Sequence, residues 1–324
     1  MAKSLALTLT VAAICCMLVI PPPVLAMRSA ALVTGASDGI GVTTAKHLAA
    51  KGFTVLLHGR NEARLAQAEA TVSQFAQTKS GIQPDVYRLP AADLSSVKGC
   101  VSLAQKVQQL CDRESDLQLE VLMNNAGVYS EDHVITSDGL ELTFAVNVVA
   151  PFVITSLLLP QLLAPSLSST SKARIVIASS ISQCGSIRNW DDLTYQTRPY
   201  SAHASYSESK LLDAMLTMEM SQRLVDQGLA PTQITCNCLD PGTVNTKMLL
   251  AGWGPIGIDV EDALDQTWLC TSDEVEGVTG KYYTYQQERS AARSAYDKTQ
   301  RQTMWKLLSD LAPEASQMWE FDWP

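Results

Sequence analysis

The chain has no Asn-x-Ser/Thr sequon, no internal repeat, no low-complexity linker in its middle and no arginine before position 28. The missing sequon tilts against a glycosylated luminal protein. The missing arginines tilt against a plastid or mitochondrial presequence. Without repeats or linkers, 324 residues of 46% hydrophobic content read as one folded domain, long enough to bury a large core. A basic surface is lacking too. The formal net charge of -9 argues against nucleic acid as a partner and against general attraction to anionic lipid. The eight cysteines lack metal-ligand spacing, and Cys236-x-Cys238 falls inside a predicted strand. Buried free thiols are expected, with neither a disulfide scaffold nor a metal site.

Charge is also missing from Ser4 to Met27, where Leu5 to Ile20 is apolar except for Thr8 and Thr10, and Pro21-Pro22-Pro23 follows. Lys3 supplies a short positive start. Residues 1–26 therefore form a targeting segment with two open readings. Val24-Leu25-Ala26 fits a signal-peptide cleavage site, and the apolar run also fits an uncleaved membrane anchor near the lower length limit. An anchor would meet the sheet at the edge opposite the cofactor crevice, so the active site should face away from the bilayer or sit on its flank.

What is present behind that segment is a regular alternation. The apolar run Ala30–Val33 and the segments Phe53–His58, Asp85–Leu89, Leu119–Asn124, Arg174–Ala178, Gln233–Leu239 and Gly280–Thr284 read as seven strands. Between them, helices are predicted over Val42–Lys51, Asn61–Thr78, Val97–Cys111, Leu140–Leu163 (bent at Pro151) and Ser205–Gln227. Strands alternating with helices at this spacing mean βαβ units, hence an α/β chain with a Rossmann-type doubly wound parallel sheet of about seven strands. The domain is expected over residues 27–312, with 313–324 a C-terminal tail.

Gly35, Gly39 and Gly41 stand between the first strand and the first helix. Such a turn lets phosphate oxygens approach the backbone, and the helix N-terminus adds free N–H groups and a positive dipole end. Gly59-Arg60 replaces the acid that often ends the second strand of an NAD enzyme. An arginine there can pair with a 2′-phosphate, so NADP(H) is favoured over NAD(H). Asp38 departs from the basic residue many NADP enzymes carry just before the second glycine. Asp93, after the third strand, is placed to accept from the adenine amino group.

Tyr206-x-x-x-Lys210 puts a phenol and an ammonium one turn apart on a helix face. A phenol of pKa near 10 exchanges protons poorly at neutral pH, and a nearby cation lowers that value. Asn124-Asn125-Ala126-Gly127 ends the fourth strand and Ser179-Ser180 the fifth, both carboxyl-end positions where ligands gather in open α/β sheets.

With these motifs in this order, residues 29 to 312 resemble the short-chain dehydrogenase/reductase superfamily, and within it the retinol-dehydrogenase-like branch. The resemblance extends to Asp138–Phe144, to the long insertion between Ser180 and Tyr206, to Asp240–Thr246, to Gly277–Tyr283 and to Met304–Leu308. It implies Tyr206 as acid/base, Lys210 as its tuner and ribose ligand, Ser180 (the second serine of the pair) as substrate orienter, and Asn147 as holder of a relay water. It implies a cofactor seat of Gly35, Ser37, Gly39, Ile40, Gly41, Arg60, Asp93, Asn125, Ala126, Gly127, Tyr206, Lys210, Pro241, Gly242, Val244 and Thr246. Pro151 and the run Asn147-Val148-Val149-Ala150 depart from the branch's usual sequence, which points to an altered pocket shape. Trp190, Tyr195, Tyr200 and Trp253, with Trp305, Trp319 and Trp323 in the tail, either line an apolar cleft or pack ordinarily. The implied reaction interconverts an apolar alcohol and its aldehyde or ketone, at the endoplasmic reticulum membrane or, after signal cleavage, as a secreted or luminal protein. A redox sensor or scaffold that binds NADP(H) without turnover is the alternative, since some relatives are attached to protein-transport machinery. Substrate identity, reaction direction and oligomeric state are not legible.

Overall fold

The computed structural model describes residues 27–81, 83–164 and 172–320. The targeting segment and Trp323 lie outside the described residues. The central feature is one eight-stranded sheet in the order β3-β2-β1-β4-β5-β6-β7-β8. Its strands are β1 Arg28–Val33, β2 Thr54–Leu57, β3 Val86–Arg88, β4 Leu117–Asn124, β5 Ala173–Ala178, β6 Ile234–Asp240, β7 Tyr282–Thr284 and β8 Gln287–Arg289. Every neighbouring pair from β3 to β7 is parallel.

The fold follows from strands buried on both faces. In β1, Ala30 and Leu32 enter one core and Ala31 and Val33 the other, because successive side chains point to opposite sides. Helices α1 Gly39–Ala50 and α2 Glu62–Ser80 cover one face. The other face is covered by α3 Val97–Arg113, α4 Leu142–Phe144, α5 Ala150–Leu163 and α6 Ala202–Asp226. The short α7 Lys247–Gly252 and α8 Asp265–Thr271 follow β6, and α9 Lys298–Leu311 and α10 Pro313–Gln317 close the chain. Since β1 lies between β2 and β4, the connections diverge at its carboxyl end and open a crevice there.

Two expectations are corrected. The eighth strand was not foreseen. β8 pairs antiparallel with β7 through a turn in which Tyr285 and Gln286 both have positive φ. Its three residues are polar and exposed, so they carry no apolar run. The long helix is interrupted, but ahead of Pro151: Ala145–Val149 forms a π-helical turn between α4 and α5. Pro151 sits in the first turn of α5, directly after that π-helical turn. The stretch Leu142–Leu163 is apolar and long enough to cross a membrane, yet 89% of its most apolar window is buried. It is a core helix.

Candidate active site

The glycine turn is held by steric necessity and by a buried histidine. A Cβ on Gly35 would stand 2.9 Å from the Ala126 Cα, and one on Gly41 would stand 2.5 Å from the Gly35 carbonyl oxygen. Gly35 also has φ +67°, a left-handed conformation that favours glycine. The Gly35 N–H donates to His58 Nδ1 at 3.3 Å, and His58 Nε2 donates to the Ala92 carbonyl at 3.1 Å. Burial pushes the imidazole down to about 4, so it is neutral and fixed in that tautomer. Asn125 Nδ2 donates to the Thr34 carbonyl at 2.8 Å, and its Oδ1 accepts from Gln266 at 3.0 Å. Asn125 thus ties the turn to β4 and α8 as well as lining the crevice.

Above the turn opens a cleft of about 550 Å³. Of the residues expected from sequence, Gly35, Ser37, Gly39, Ile40, Gly41, Arg60, Asp93, Asn125, Ala126, Gly127, Tyr206, Lys210, Pro241 and Thr246 line it. Ser180, Asn147, Gly242 and Val244 do not form its wall. Val244 is buried and bridges to Ile258. At the outer end, Asp38 caps α1 by accepting from the Gly39 N–H at 2.9 Å and pairs with Lys247. Lys247 draws the Asp38 carboxyl below its usual range. Arg60 and Arg64 are exposed there and take part in no ion pair among those the described residues form. Arg64 lines a second cavity of about 410 Å³ that shares Ser37, Asp38, Gly39 and Lys247 with the cleft. Sequence reading missed Arg64 and Lys247. Arg64 was readable as the residue one turn beyond Arg60; Lys247 comes to the site only through the fold.

At the inner end, α6 presents Tyr206, 7% exposed, and Lys210, 4% exposed. The Lys210 Nζ lies 5.6 Å from the centre of the Tyr206 ring. It donates to the Ala178 carbonyl at 2.7 Å and to Asp213 Oδ2 at 2.8 Å. Burial raises the Tyr206 phenol, and Lys210 and the Ser180 hydroxyl oppose that rise. Ser179 is engaged elsewhere, donating to the Lys210 carbonyl at 2.8 Å. Asn147, in the π-helical turn, accepts from the Val128 N–H at 2.8 Å and donates to Ser209 Oγ at 3.0 Å. A Cβ added at Gly127 would stand 3.5 Å from Asn147 Oδ1 and 3.9 Å from Lys210 Nζ, so glycine keeps open the space those groups share.

A knot of rings covers the phenol. Trp253, on the flap after α7, lies 5.5 Å from the Tyr206 ring, 5.0 Å from Tyr129 and 5.1 Å from His203. Tyr129 and His203 had no sequence signal. The insertion's aromatics have other partners. Tyr195 donates to Glu208 at 2.9 Å, Tyr200 donates to the Ser130 carbonyl at 2.7 Å, and Trp190 packs on the core. Trp305 and Trp319 pack edge to face at 5.3 Å within the core. The site therefore joins a backbone cradle and cations suited to a dinucleotide with a buried phenol, ammonium and hydroxyl suited to proton exchange.

Comparison with known proteins gives a consistent picture. The family described as short chain dehydrogenase matches residues 29–251. Polyprenol dehydrogenase of Homo sapiens is 32% identical over 293 residues, covering 87% of this chain and 84% of its own. Retinol dehydrogenase 14 of Mus musculus is 32% identical over 299 residues, covering 85% of this chain and 83% of its own. A short chain dehydrogenase structure from Escherichia coli CFT073, complexed with NADPH, superposes with TM-score 0.57 at 26% identity, over 80% of this chain and 96% of that one.

Proposed function

The chain belongs to the short-chain dehydrogenase family, in its retinol-dehydrogenase-like branch, and on that premise we propose that this oxidoreductase uses NADP(H) to interconvert an apolar alcohol and its aldehyde or ketone, with Tyr206 as acid/base. The observation that carries the proposal is the meeting of Tyr206, with the Ser180 hydroxyl bonded to it, and Lys210 at the inner end of a cleft whose outer end holds a glycine turn and Arg60, with Arg64 in the adjoining cavity. The names of the relatives, a polyprenol and a retinol dehydrogenase, support an apolar alcohol. The ring cluster of Tyr129, His203 and Trp253 beside the phenol supports an apolar approach to the reacting carbon.

The residues fit the cofactor. The open space beside Gly127, the exposed α1 N-terminus and the cations Arg60 and Arg64 are what a phosphorylated dinucleotide needs. A bound nicotinamide supplies or accepts the hydride. In reduction, Ser180 holds the carbonyl oxygen beside the phenol. Tyr206 gives its proton to that oxygen. The Lys210 ammonium stabilises the phenolate that remains. Asn147, fixed by Val128 and Ser209, positions a water that returns a proton to the site. In oxidation the same groups run in reverse.

A steady-state screen of apolar aldehydes, ketones and alcohols with NADPH/NADP and NADH/NAD tests the reading. Turnover of an apolar substrate with preference for the phosphorylated cofactor is expected. No turnover in a folded, cofactor-saturated sample would overturn it. The membrane association of the targeting segment is part of the same proposal, and fractionation of the tagged chain with and without residues 1–26 tests it.

A further inference from the structure

The buried partner of Lys210 is an acid. Asp213 follows it by three residues on α6, and both side chains are shut off from solvent. Lys210 already donates to the Ala178 carbonyl, so Asp213 is not needed merely to anchor the amine. Among the described residues Asp213 Oδ1 has no hydrogen-bond partner, and burial raises this carboxyl to about 7 against the pull of Lys210, so it is a costly acid to bury and is charged in the alkaline range where a phenol titrates. Its Oδ2 lies 2.8 Å from Nζ, whereas the centre of the Tyr206 ring lies 5.6 Å away. An ammonium paired this closely acts on the phenol as one end of a dipole, and its field at that distance is much reduced.

Resting on the reading above, we propose that Asp213 is a positioning residue that keeps the Tyr206 phenol protonated, by pairing with Lys210 and withdrawing much of the charge that would ionise it. A phenol that stays protonated at neutral pH is ready to deliver a proton to a carbonyl oxygen. It is poorly set to remove one from an alcohol.

Of the other groups near the pair, the Ser180 hydroxyl opposes the rise at Tyr206, and the acid on β6 acts with Asp213. On β6, Asp240 raises the phenol further, and it is itself raised by burial while accepting backbone N–H groups of Ile181 and Gly242. Cys238, also on β6, is raised by burial to about 12 and remains a thiol. Tyr282 on β7 is likewise raised by burial, with Asp240 and Cys238 adding to the rise. Tyr129 packs on the Tyr206 ring, and His203, one turn before Tyr206, packs on Tyr129. Lys210 is therefore the cation that opposes the rise at Tyr206, and Asp213 is the acid bonded to it.

The test is a titration of Tyr206 in Asp213→Asn against the natural chain. It is followed by ¹³C NMR of ring-labelled tyrosine with NADP bound, with Tyr206→Phe assigning the signal. The amide keeps the size of the side chain and an acceptor for Lys210. We expect its Tyr206 midpoint to fall by about one pH unit or more, the shift one neighbouring charge commonly causes. Where substrate turnover is measurable, the acid limb of the pH profile of kcat/KM for oxidation should move to lower pH by a similar amount. An unmoved midpoint, or one that rises because Lys210 has lost its charge, would overturn the inference. If Asp213→Asn does not fold, Asp213→Ala carries the same two outcomes. The titration needs no substrate, so failure to find turnover would count against the functional reading without deciding this one.

Discussion

Tyr206 has the acidity of an ordinary phenol to overcome and a buried position that works against it. Its neighbours decide what it can do, and they were unequally visible in the sequence. Lys210 stood out through its spacing. Asp213 did not, because an acid three residues from a lysine on a helix reads as a surface pair, and only the fold shows both to be buried. His58 was hidden for the same reason, since a histidine ending a strand carries no sign of its bonds to Gly35 and Ala92. It leads to a pH prediction. Its folded value of about 4 lies below the ordinary 6.5, so the neutral ring's contribution is present above pH 6.5 and is lost as pH falls toward 4. That shift corresponds to about 3 kcal/mol. Urea unfolding of the natural chain should lose this increment between those pH values, and His58→Gln should lack that part of the drop.

Between secondary elements, the strands and helices of the nucleotide half were legible because long apolar runs and capping residues such as Asn61 mark them. The π-helical turn was not, since it depends on the contact of Asn147 with Val128 from the loop after β4. Nor was the role of the insertion's tyrosines. Arg198 binds Glu208 through both guanidinium ends, at 2.9 and 2.7 Å, and draws Tyr195 inward under it. Residues 313–324 were read as a tail, yet α10 and Trp319 within them dock on α5. Trp319 is 4% exposed and donates to Ser156 Oγ at 2.7 Å. Trp319→Ala should cost about 3–5 kcal/mol in chemical denaturation, as large-to-small changes in a packed core do. A loss under about 1 kcal/mol would mean the docked end contributes little to the fold.

Taken together, the molecule is acidic, with a formal net charge of -9, so any cation left unpaired at a cleft mouth stands out. Arg60 and Arg64 are such cations beside the cradle, while Lys247 is held by Asp38. Arg60→Ala with Arg64→Ala should raise KM for NADP about 10-fold or more and leave that for NAD nearly unchanged, since only the 2′-phosphate is lost as a partner. Equal effects on both cofactors would move the phosphate elsewhere. The sheet, the crevice and much of the cleft lining were readable from residue order, because a doubly wound sheet brings strand ends together in a fixed way. Of the rings over Tyr206, Trp253 was marked by its place after the Pro-Gly loop, but Tyr129 and His203 were not, because only the fold brings their separate segments to it.

The proposed reaction depends on the phenolic proton, so the decisive comparison is the natural chain against Tyr206→Phe, with NADPH affinity read by fluorescence and turnover read on the best carbonyl substrate. Unchanged affinity with turnover reduced about 100-fold or more is the expected result, in line with losing a general acid. A phenylalanine variant that turns over at the natural rate would show that some other group delivers the proton.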